Sequence, residues 1–418
     1  MEDQGLVVAI QLFVAGVMAA ALVGLVARRV ALPYTVGLVL FGLLAGVVLP
    51  AQQITITPQL VLTVLLPGLV FEAAYRIEIE PLRRTFRGIA LLAAPGVVIT
   101  AAVVAVVLHL ATGLRLDLGF VVGSMVAATD PAAVIATFKR VGAPRGLSTL
   151  VDGESLFNDG TSLVVFAIAV RAIVEPVTPA DAILAFIVAV IGGAALGGAA
   201  GFVASRIVAT VDDHLIELTI SLALAYGTYL VADALHESGV IATVVAGVVL
   251  GNYGRRIGMS ERTQEAIDTV WEFAAFLLTA LAFLLVGLVI TFPRLLDALP
   301  WIAWGIVGVL VGRAVVIYGL LGTASRLLRR SRYARMPIPT PWLHVLFWAG
   351  LRGAVAVAMA LSLPLDIPQR DLLQEITFGI VLFTLLAQGT TIEFVMGRTR
   401  AADARWGPPP TREHEPAA

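Results

Sequence analysis

The chain has 418 residues, of which 59% are hydrophobic and 14% are charged, and its formal net charge is −1. Soluble domains are about 25% charged, so this composition is typical of a membrane protein. The near-zero net charge gives no basic field for a nucleic-acid partner. Cysteine is absent, which excludes disulfides, thiol catalysis and thiolate metal sites.

Hydrophobic stretches long enough to cross a bilayer recur along the whole chain. A bilayer core about 30 Å thick requires about 20 apolar residues as α-helix. The sequence predicts thirteen such spans, at 6–26, 32–49, 58–75, 88–112, 118–138, 147–172, 180–204, 214–234, 238–252, 268–291, 299–322, 341–362 and 372–396. We therefore predict an all-α, polytopic membrane domain over residues 1–399. The polar, proline-containing segment 400–418 is predicted to be a disordered cytoplasmic tail.

Basic residues divide unequally between the two ends of these spans. Of the 28 lysines and arginines, 22 fall on one side, 4 fall on the other, and 2 lie inside apolar spans. Cytoplasmic loops carry the excess of basic residues in membrane proteins. The sequence therefore predicts a multi-pass protein of the cell (inner) membrane, with the N-terminus outside and the C-terminus in the cytoplasm.

Thirteen spans permit two groups of six around one extra span. Spans 1 and 8 would cross in opposite directions, so spans 1–6 and 8–13 would form inverted repeats. Span 5 then corresponds to span 12, and both contain helix-breaking residues. These are Asp130-Pro131 in span 5, and Gly350 with Gly353 in span 12. Paired broken helices at matching positions are typical of the binding site of a transporter.

Span 5 combines a carboxylate with a helix break. Pro131 removes one helical hydrogen bond and disfavours helical backbone at Asp130, which frees backbone carbonyl groups near Thr129. A carboxylate with additional oxygen ligands suits a hard cation such as Na⁺. The alternative interpretation is a proline kink with a capped aspartate.

Span 6 contains several polar residues in an otherwise apolar stretch. Asp152 comes first; Glu154 and Asn158 then lie four residues apart, as do Ser155 and Asp159. Helical spacing places each pair on one face. The alternative is a loop between two shorter helices, because two glycines flank this run.

Asp130 and Asp159 are the natural pair for ion exchange. A carboxylate in an apolar cavity holds its proton more strongly than in water, and two neighbouring carboxylates disfavour full ionisation. A bound cation relieves this repulsion, so a proton and a cation compete for the same oxygen atoms. This competition couples the two fluxes without ATP, and the sequence contains no GxxxxGK[ST] motif.

Two arginines and one glutamate complete the ionisable residues of interest at membrane depth. We expect Arg313 and Arg352 each to meet a carboxylate, because an unpaired charge in the membrane is costly. Glu154 is the best partner for Arg313. Arg352 has further interpretations, since it could repel or release the ion or complement the broken helix ends. Glu72 would either line the cytoplasmic funnel as a third acid or pair with Arg76 at the interface.

Four motifs together resemble the prokaryotic NhaP-type Na⁺/H⁺ antiporters, which form the first family of monovalent cation:proton antiporters and are related to animal Na⁺/H⁺ exchangers. The motifs are Phe71-Glu72, Ala128-Thr129-Asp130-Pro131, the Gly-Glu-Ser-Leu-Phe-Asn-Asp-Gly run at 153–160, and Gly350-Leu351-Arg352-Gly353-Ala354. The similarity extends over residues 5–397. The Asn158-Asp159 pair is specific, and the motifs together are much stronger than any one alone.

The resemblance implies a transporter that needs no cofactor and exchanges Na⁺ or Li⁺ for H⁺ by alternating access. It implies a homodimer in the lipid bilayer, in which a six-helix core moves against dimerisation helices that are interleaved with it in the sequence. Thr129, Asp130, Ser155 and Asp159 would bind Na⁺, and Glu72 would add an oxygen directly or through water.

The same resemblance assigns supporting roles to other residues. Asn158 would orient the site, and Glu154 and Arg313 would form a structural pair. One-for-one, electroneutral exchange is expected for the Asn158-Asp159 form. Two alternatives remain open: K⁺/H⁺ antiport by the same mechanism, and intramembrane hydrolysis with Asp130 and Asp159 as an acid–base dyad.

Overall fold

The computed structural model describes residues 2–30, 33–48, 59–290, 292–328 and 338–402. All regular structure within these ranges is helical, and no strand occurs in them. The predicted all-α class is therefore confirmed. Residues 403–418, which make up most of the predicted tail, lie outside the described residues.

The first half of the described chain forms ten helices. They are α1 (Glu2–Val30), α2 (Tyr34–Val48), α3 (Leu66–Arg76), α4 (Ile79–Ala93), α5 (Pro95–Thr112), α6 (Leu116–Met125), α7 (Ala132–Val141), α8 (Arg145–Val174), α9 (Pro179–Val208) and α10 (His214–Ala234). A π-helical segment, Leu60–Leu65, leads into α3.

The second half forms ten further helices. They are α11 (Gly239–Val249), α12 (Arg255–Ile257), α13 (Glu261–Val289), α14 (Phe292–Asp297), α15 (Leu299–Ala314), α16 (Gly322–Leu328), α17 (Thr340–Trp348), α18 (Ala354–Leu361), α19 (Arg370–Phe383) and α20 (Gly389–Thr399). π-Helical segments connect three of the successive pairs, at Leu250–Gly254, Val315–Leu321 and Thr384–Gln388.

Eight helical stretches in the described chain are long and apolar enough to cross a membrane. They are Ile79–Thr112, Arg145–Val174, Pro179–Val208, His214–Ala234, Gly239–Ile257, Glu261–Val289, Leu299–Leu327 and Arg370–Thr399. The other five predicted spans fall on α1, α2, α3 and two interrupted helices. The count of thirteen spans and the inverted repeats therefore stay predictions.

Helix ends follow local sequence signals. Thr178 and Asp181 form a reciprocal capping box at the start of α9. The Asp213 side chain accepts hydrogen bonds from two backbone amides at the start of α10. Gly113 and Gly142 adopt left-handed backbone conformations, with φ of 74° and 66°, and end α5 and α7. These signals separate neighbouring long helices by short connections.

The helices pack into two groups. In the first, α5 packs against α6 and α15, α4 packs against α8, and α19 packs against α15 and α18. In the second, α2 packs against α13, and α11 packs against α3, α9 and α10. Glycine permits backbone contact inside each group: a Cβ atom at Gly123 would overlap Ala101, and one at Gly197 would overlap Ala242. Helix α8 contacts both groups, since it packs on α4 and α6 and also on α9 and α11.

Both predicted breaks are present. Residues 126–131 are non-helical between α6 and α7, and residues 349–353 are non-helical between α17 and α18. Pro131 comes directly before α7, and Gly353 directly before α18. The breaks therefore divide spans 5 and 12 into half-helices.

Candidate functional site

The two breaks lie against each other. The backbone amide of Asp130 donates a hydrogen bond of 2.8 Å to the carbonyl oxygen of Leu351. Nη1 of Arg352 donates to the carbonyl oxygens of Ala127 and Ala128, at 2.8 and 3.0 Å. One backbone hydrogen bond and the Arg352 side chain therefore join the two breaks, which lie in distant parts of the chain.

Asp130 lies where α7 and α18 begin. Its Oδ1 accepts a 3.0 Å hydrogen bond from the backbone amide of Ala132. A Cβ atom at Gly353 would overlap the carboxylate, so this position accommodates only glycine. The positive end of a helix dipole stabilises a negative charge. The Ala132 amide and the start of α7 therefore offset part of the cost of burying a negative charge at Asp130.

Arg352 complements a broken helix end, which is one of the interpretations that the sequence offered for it. We expected a carboxylate partner, but Arg352 makes no ion pair with any described residue. It is 1% exposed, and its guanidinium binds the carbonyl end of α6. Carbonyl groups freed by the break carry the negative end of the helix dipole and so replace a carboxylate. Its backbone amide donates to Oγ1 of Thr384, in a π-helical segment, at 3.0 Å.

Asp159 lies on an uninterrupted helix. Helix α8 runs from Arg145 to Val174, so the alternative of a loop between two shorter helices is wrong. Asp159 is partly buried, and its Oδ1 has no hydrogen-bond partner among the described residues. Asp130 and Asp159 line the same cavity, which has a volume of about 530 Å³. The structure therefore brings the two predicted acids to one cavity.

Thr129, Ser155 and Asn158 form a buried hydrogen-bonded cluster. Oγ1 of Thr129 lies 2.9 Å from Oγ of Ser155 and accepts a 2.7 Å hydrogen bond from Nδ2 of Asn158. Oδ1 of Asn158 accepts from the Thr129 backbone amide at 3.2 Å. None of the three is among the residues that line the cavity. The cluster ties the break in span 5 to α8, and its hydroxyl groups bond each other.

Glu154 and Arg313 form the ion pair that the sequence predicted. Nη2 of Arg313 lies 3.0 Å from Oε2 of Glu154, and Nη1 contacts Oε1. The side chains are only 3% and 7% exposed. Arg313 also donates to the carbonyl oxygen of Leu346, from Nε at 3.1 Å and from Nη2 at 2.7 Å. One guanidinium group thus holds α8, α15 and α17 together.

Glu72 combines the two interpretations that the sequence left open. Its Oε1 lies 2.7 Å from Nε of Arg76, one helical turn later. It also lines the cavity that contains Asp130 and Asp159. Because its carboxylate is shared with an arginine, it is the most strongly paired acid in this cavity.

The cavity also has a wall that the sequence did not predict. Tyr34, Thr35, Phe276 and Thr279 line it from α2 and α13. The rings of Tyr34 and Phe276 stack with their centroids 5.2 Å apart. These residues are uncharged and lie in apolar runs, so only the packing of α2 on α13 shows that they face the acids.

An all-helical membrane fold with two broken helices that cross beside a carboxylate defines a multi-pass secondary transporter. The family model described as sodium/hydrogen exchanger, transmembrane, matches residues 17–398. The chain therefore belongs to the sodium/hydrogen exchanger family. Members of this family are transporters rather than enzymes and need no cofactor.

Curated relatives and solved structures agree with this assignment. The chain is 41% identical over 367 residues to the low-affinity Na(+)/H(+) antiporter NhaS1 of Synechocystis sp., covering 87% of this chain and 69% of that protein. It is 39% identical over 332 residues to the Na(+)/H(+) antiporter ApNhaP of Aphanothece halophytica, covering 78% and 62%. The chain thus spans about two thirds of the length of these relatives.

The fold also matches a solved structure. The sodium proton antiporter MjNhaP1 from Methanocaldococcus jannaschii superposes with a TM-score of 0.74, covering 94% of this chain and 99% of that chain at 20% identity. At this identity the likeness shows a common fold.

Proposed function

We propose that this chain exchanges Na⁺, or Li⁺, for H⁺ across the membrane by alternating access. The observation that carries the proposal is the shared cavity of Asp130 and Asp159 at the crossing of the broken helices. One oxygen of Asp159 has no partner there among the described residues. The names of the relatives, Na(+)/H(+) antiporters, support the choice of ions.

Competition for Asp159 would couple the two fluxes. The negative charge of Asp130 is stabilised by the Ala132 amide and by the N-termini of two half-helices. Asp159 lacks such donors among the described residues, so a proton or a cation must neutralise it in this apolar setting. Since both ions require the same carboxylate, each transport cycle moves one Na⁺ against one H⁺, and the exchange is electroneutral.

The proposed Na⁺ site consists of Asp159, Asp130, Ser155 and Thr129, with Glu72 adding an oxygen directly or through water. Carboxylate and hydroxyl oxygens are suitable ligands for a hard cation. The Thr129 and Ser155 hydroxyl groups bond each other at 2.9 Å, so they would turn toward the ion when it binds.

Four residues would organise this site without binding the ion. Asn158 holds the break in span 5, and Arg352 neutralises the carbonyl end of α6. Glu154 and Arg313 fix α8 against α15 and α17.

The two helix groups suggest which parts move. The proposed moving core consists of α4–α8 and α15–α20, and the proposed dimerisation domain consists of α1–α3 and α9–α13. Tight packing inside each group supports this division. A homodimer is proposed from the family resemblance and from the exposure of α9, which offers a surface for a second copy. Among the eight long helical stretches α9 is the least buried, with 17% of its most apolar segment buried.

We place the protein in the cell (inner) membrane with its N-terminus outside and its C-terminus in the cytoplasm. The asymmetry of basic residues supports this orientation. Lys139 and Arg140, which belong to the predicted cytoplasmic side, line the cavity of Asp130 and Asp159. The cavity would therefore open toward the cytoplasm, which corresponds to an inward-facing state.

The ion choice is tested with purified protein in liposomes that contain a trapped pH-sensitive dye. A pH gradient is imposed, and Na⁺, Li⁺, K⁺ or choline is added. We expect Na⁺ and Li⁺ to dissipate the gradient and choline to leave it intact. If K⁺ alone dissipates it, the protein is a K⁺/H⁺ antiporter. If no cation moves protons between pH values of about 5 and 9, where a buried carboxylate would titrate, the exchange proposal is wrong.

A further inference from the structure

The cavity of Asp130 and Asp159 adjoins a second cavity on the predicted cytoplasmic side, and the two share lining residues. The outer cavity has a volume of about 380 Å³. Glu72, Lys139 and Asp152 line both cavities and are the charged residues that the two share. We call these three side chains, which line both cavities, the neck. A cation that reaches Asp159 by this route passes them.

Of the two carboxylates of the neck, Asp152 is the one without an ion-pair partner among the described residues. Glu72 is held by Arg76, whereas Asp152 makes no ion pair with any described residue. The charged groups close enough to act on Asp152 are the Lys139 ammonium and the Glu72 carboxylate. Asp152 is partly buried in the wall of the cavity, where an unpaired negative charge is costly. A mobile cation would remove this cost.

Asp152 and Asp159 share one face of α8. They are seven residues apart, which places them about 10.5 Å apart along the axis, at nearly the same angle around it. The two carboxylates are therefore successive positions along one wall of the same cavity. A cation bound at Asp152 would be two helical turns from the proposed exchange site.

The Lys139 ammonium is suited to bind the Asp152 carboxylate reversibly. It is the single lysine of the chain, in the last turn of α7, and its side chain is exposed. The lysine ammonium is a compact point charge on a flexible stem, and it does not form the rigid forked pair that arginine forms. It can therefore approach and leave a carboxylate as an alkali cation does.

We propose that Asp152 is a positioning residue that collects the incoming cation at the neck, and that the Lys139 ammonium competes with this cation for it. The inference rests on the proposed function. Na⁺ from the cytoplasm displaces the ammonium from Asp152 and then moves on to Asp159. Asp152 therefore governs the apparent affinity for cytoplasmic Na⁺ and leaves the maximal rate unchanged.

Everted membrane vesicles test this, because added Na⁺ then meets the cytoplasmic face. For Asp152→Asn we expect the KM for Na⁺ to rise between about twofold and fifteenfold at unchanged kcat, which is the range for one charge removed at about 10 Å in media between water and the protein surface. The matched control is Glu78→Gln. Glu78 is exposed and lines only the outer of the two cavities. We expect the KM of Glu78→Gln for Na⁺ to change less than about twofold, because the charge of Glu78 is screened by solvent.

The competition by Lys139 is tested with a double-mutant cycle. Lys139→Gln should lower the KM for Na⁺ about twofold or more, because it removes the competing ammonium. The same change should lower KM less in the Asp152→Asn background, since the carboxylate for which the ammonium competes is gone. Asp152→Glu, which keeps the charge, should restore a KM near that of the wild type.

The outcomes separate this inference from the proposed function. If wild-type vesicles exchange no Na⁺ for H⁺, the proposed function fails. If the wild type is active and Asp152→Asn retains the wild-type KM, or loses kcat at constant KM, the role of Asp152 is wrong. If Glu78→Gln raises the KM as much as Asp152→Asn, general surface charge explains the result. Right-side-out vesicles should show no change of KM in Asp152→Asn, and an equal change on that side would contradict a cytoplasmic neck.

Discussion

The charged residues at the crossing differ in the groups that stabilise their charges. Glu154 and Arg313 neutralise each other, and Arg352 binds backbone carbonyl groups. Asp130 accepts a backbone amide at the start of a half-helix. Asp159 has one carboxylate oxygen without a partner among the described residues. These differences support the proposed structural roles of Glu154, Arg313 and Arg352, and they support Asp159 as the residue at which the ions would exchange.

The pairing of Glu154 with Arg313 leads to a stability prediction. Glu154→Gln leaves the buried Arg313 guanidinium without its counter-charge, so we expect the protein to lose about 3–5 kcal/mol of stability. The measurement is the midpoint of thermal unfolding in detergent. The control is Glu80→Gln, because Glu80 pairs with Arg84 in a bridge that is 59% and 60% exposed, and such bridges contribute about 0–1 kcal/mol.

A second variant separates lost pairing from other damage. Replacing both partners, by Glu154→Leu with Arg313→Met, removes the unpaired charge and should recover much of the stability. Equal loss of stability in Glu154→Gln and Glu80→Gln would show that the buried pair is not structural.

The hydrogen-bonded cluster gives a prediction about affinity. Thr129→Val removes the hydroxyl that bonds Ser155 and Asn158, so the Asn158 amide loses a partner at a cost of about 1–3 kcal/mol. We expect a higher KM for Na⁺ and a lower unfolding midpoint. The control is Thr219→Val, since Thr219 is exposed and bonds only its own helix. An unchanged KM in Thr129→Val would exclude its hydroxyl as an ion ligand.

Some of these residues could be paired from the sequence and others could not. Glu154 and Arg313 are opposite charges at membrane depth, and the cost of an unpaired charge in the membrane predicts their contact. The partners of Arg352 are the carbonyl groups of Ala127 and Ala128. Those groups are free because span 5 is broken beside span 12. The sequence allowed Arg352 to complement a broken helix end, but it did not identify which carbonyl groups the guanidinium would bind.

At the scale of helices, the site depends on two half-helices, α7 and α18, that begin beside Asp130. Proline and glycine predicted both breaks, because these residues disrupt helical hydrogen bonding. The π-helical segment Thr384–Gln388 was not predicted, although it supplies the hydroxyl that binds the Arg352 amide. A π-helical turn has no comparable residue signature, and such turns are frequent at functional sites.

The closeness of Gly353 to Asp130 is tested by Gly353→Ala. The added methyl group would overlap the Asp130 carboxylate and displace it. A displacement of about 1 Å costs about 100-fold in rate, so we expect exchange to be lost to this extent. The control is Gly397→Ala on α20, where a Cβ atom meets nothing within 4 Å. If Gly353→Ala exchanges ions at the wild-type rate, the close contact between Gly353 and the Asp130 carboxylate is contradicted.

At the scale of the whole molecule, one-for-one exchange predicts insensitivity to membrane potential. Each net charge moved across 100 mV changes the free energy by about 2.3 kcal/mol. Electroneutral exchange moves no net charge, so a potential set by K⁺ and valinomycin should leave the rate unchanged. The measurement is the initial rate of dye response in proteoliposomes with and without this potential. A clear acceleration by the potential would contradict one-for-one exchange.

Composition predicted the class of the whole molecule better than its internal arrangement. The 59% hydrophobic content and the repeated apolar spans sufficed to predict an all-helical membrane protein. The neck formed by Glu72, Lys139 and Asp152 was not predictable, because its residues come from α3, α7 and α8. Only the packing of these helices brings the three side chains to one passage.

The measurement that tests the central claim most directly is the KM for Na⁺ of the wild type as a function of pH. If Na⁺ and H⁺ compete for the Asp159 carboxylate, KM should rise about tenfold for each unit that the pH falls on the acidic side, while kcat stays constant, because each unit lowers the ionised fraction of the carboxylate about tenfold. Asp159→Asn should show no exchange at any pH. A kcat that falls with acid at constant KM, or an active Asp159→Asn variant, would contradict the claim that one carboxylate carries both ions.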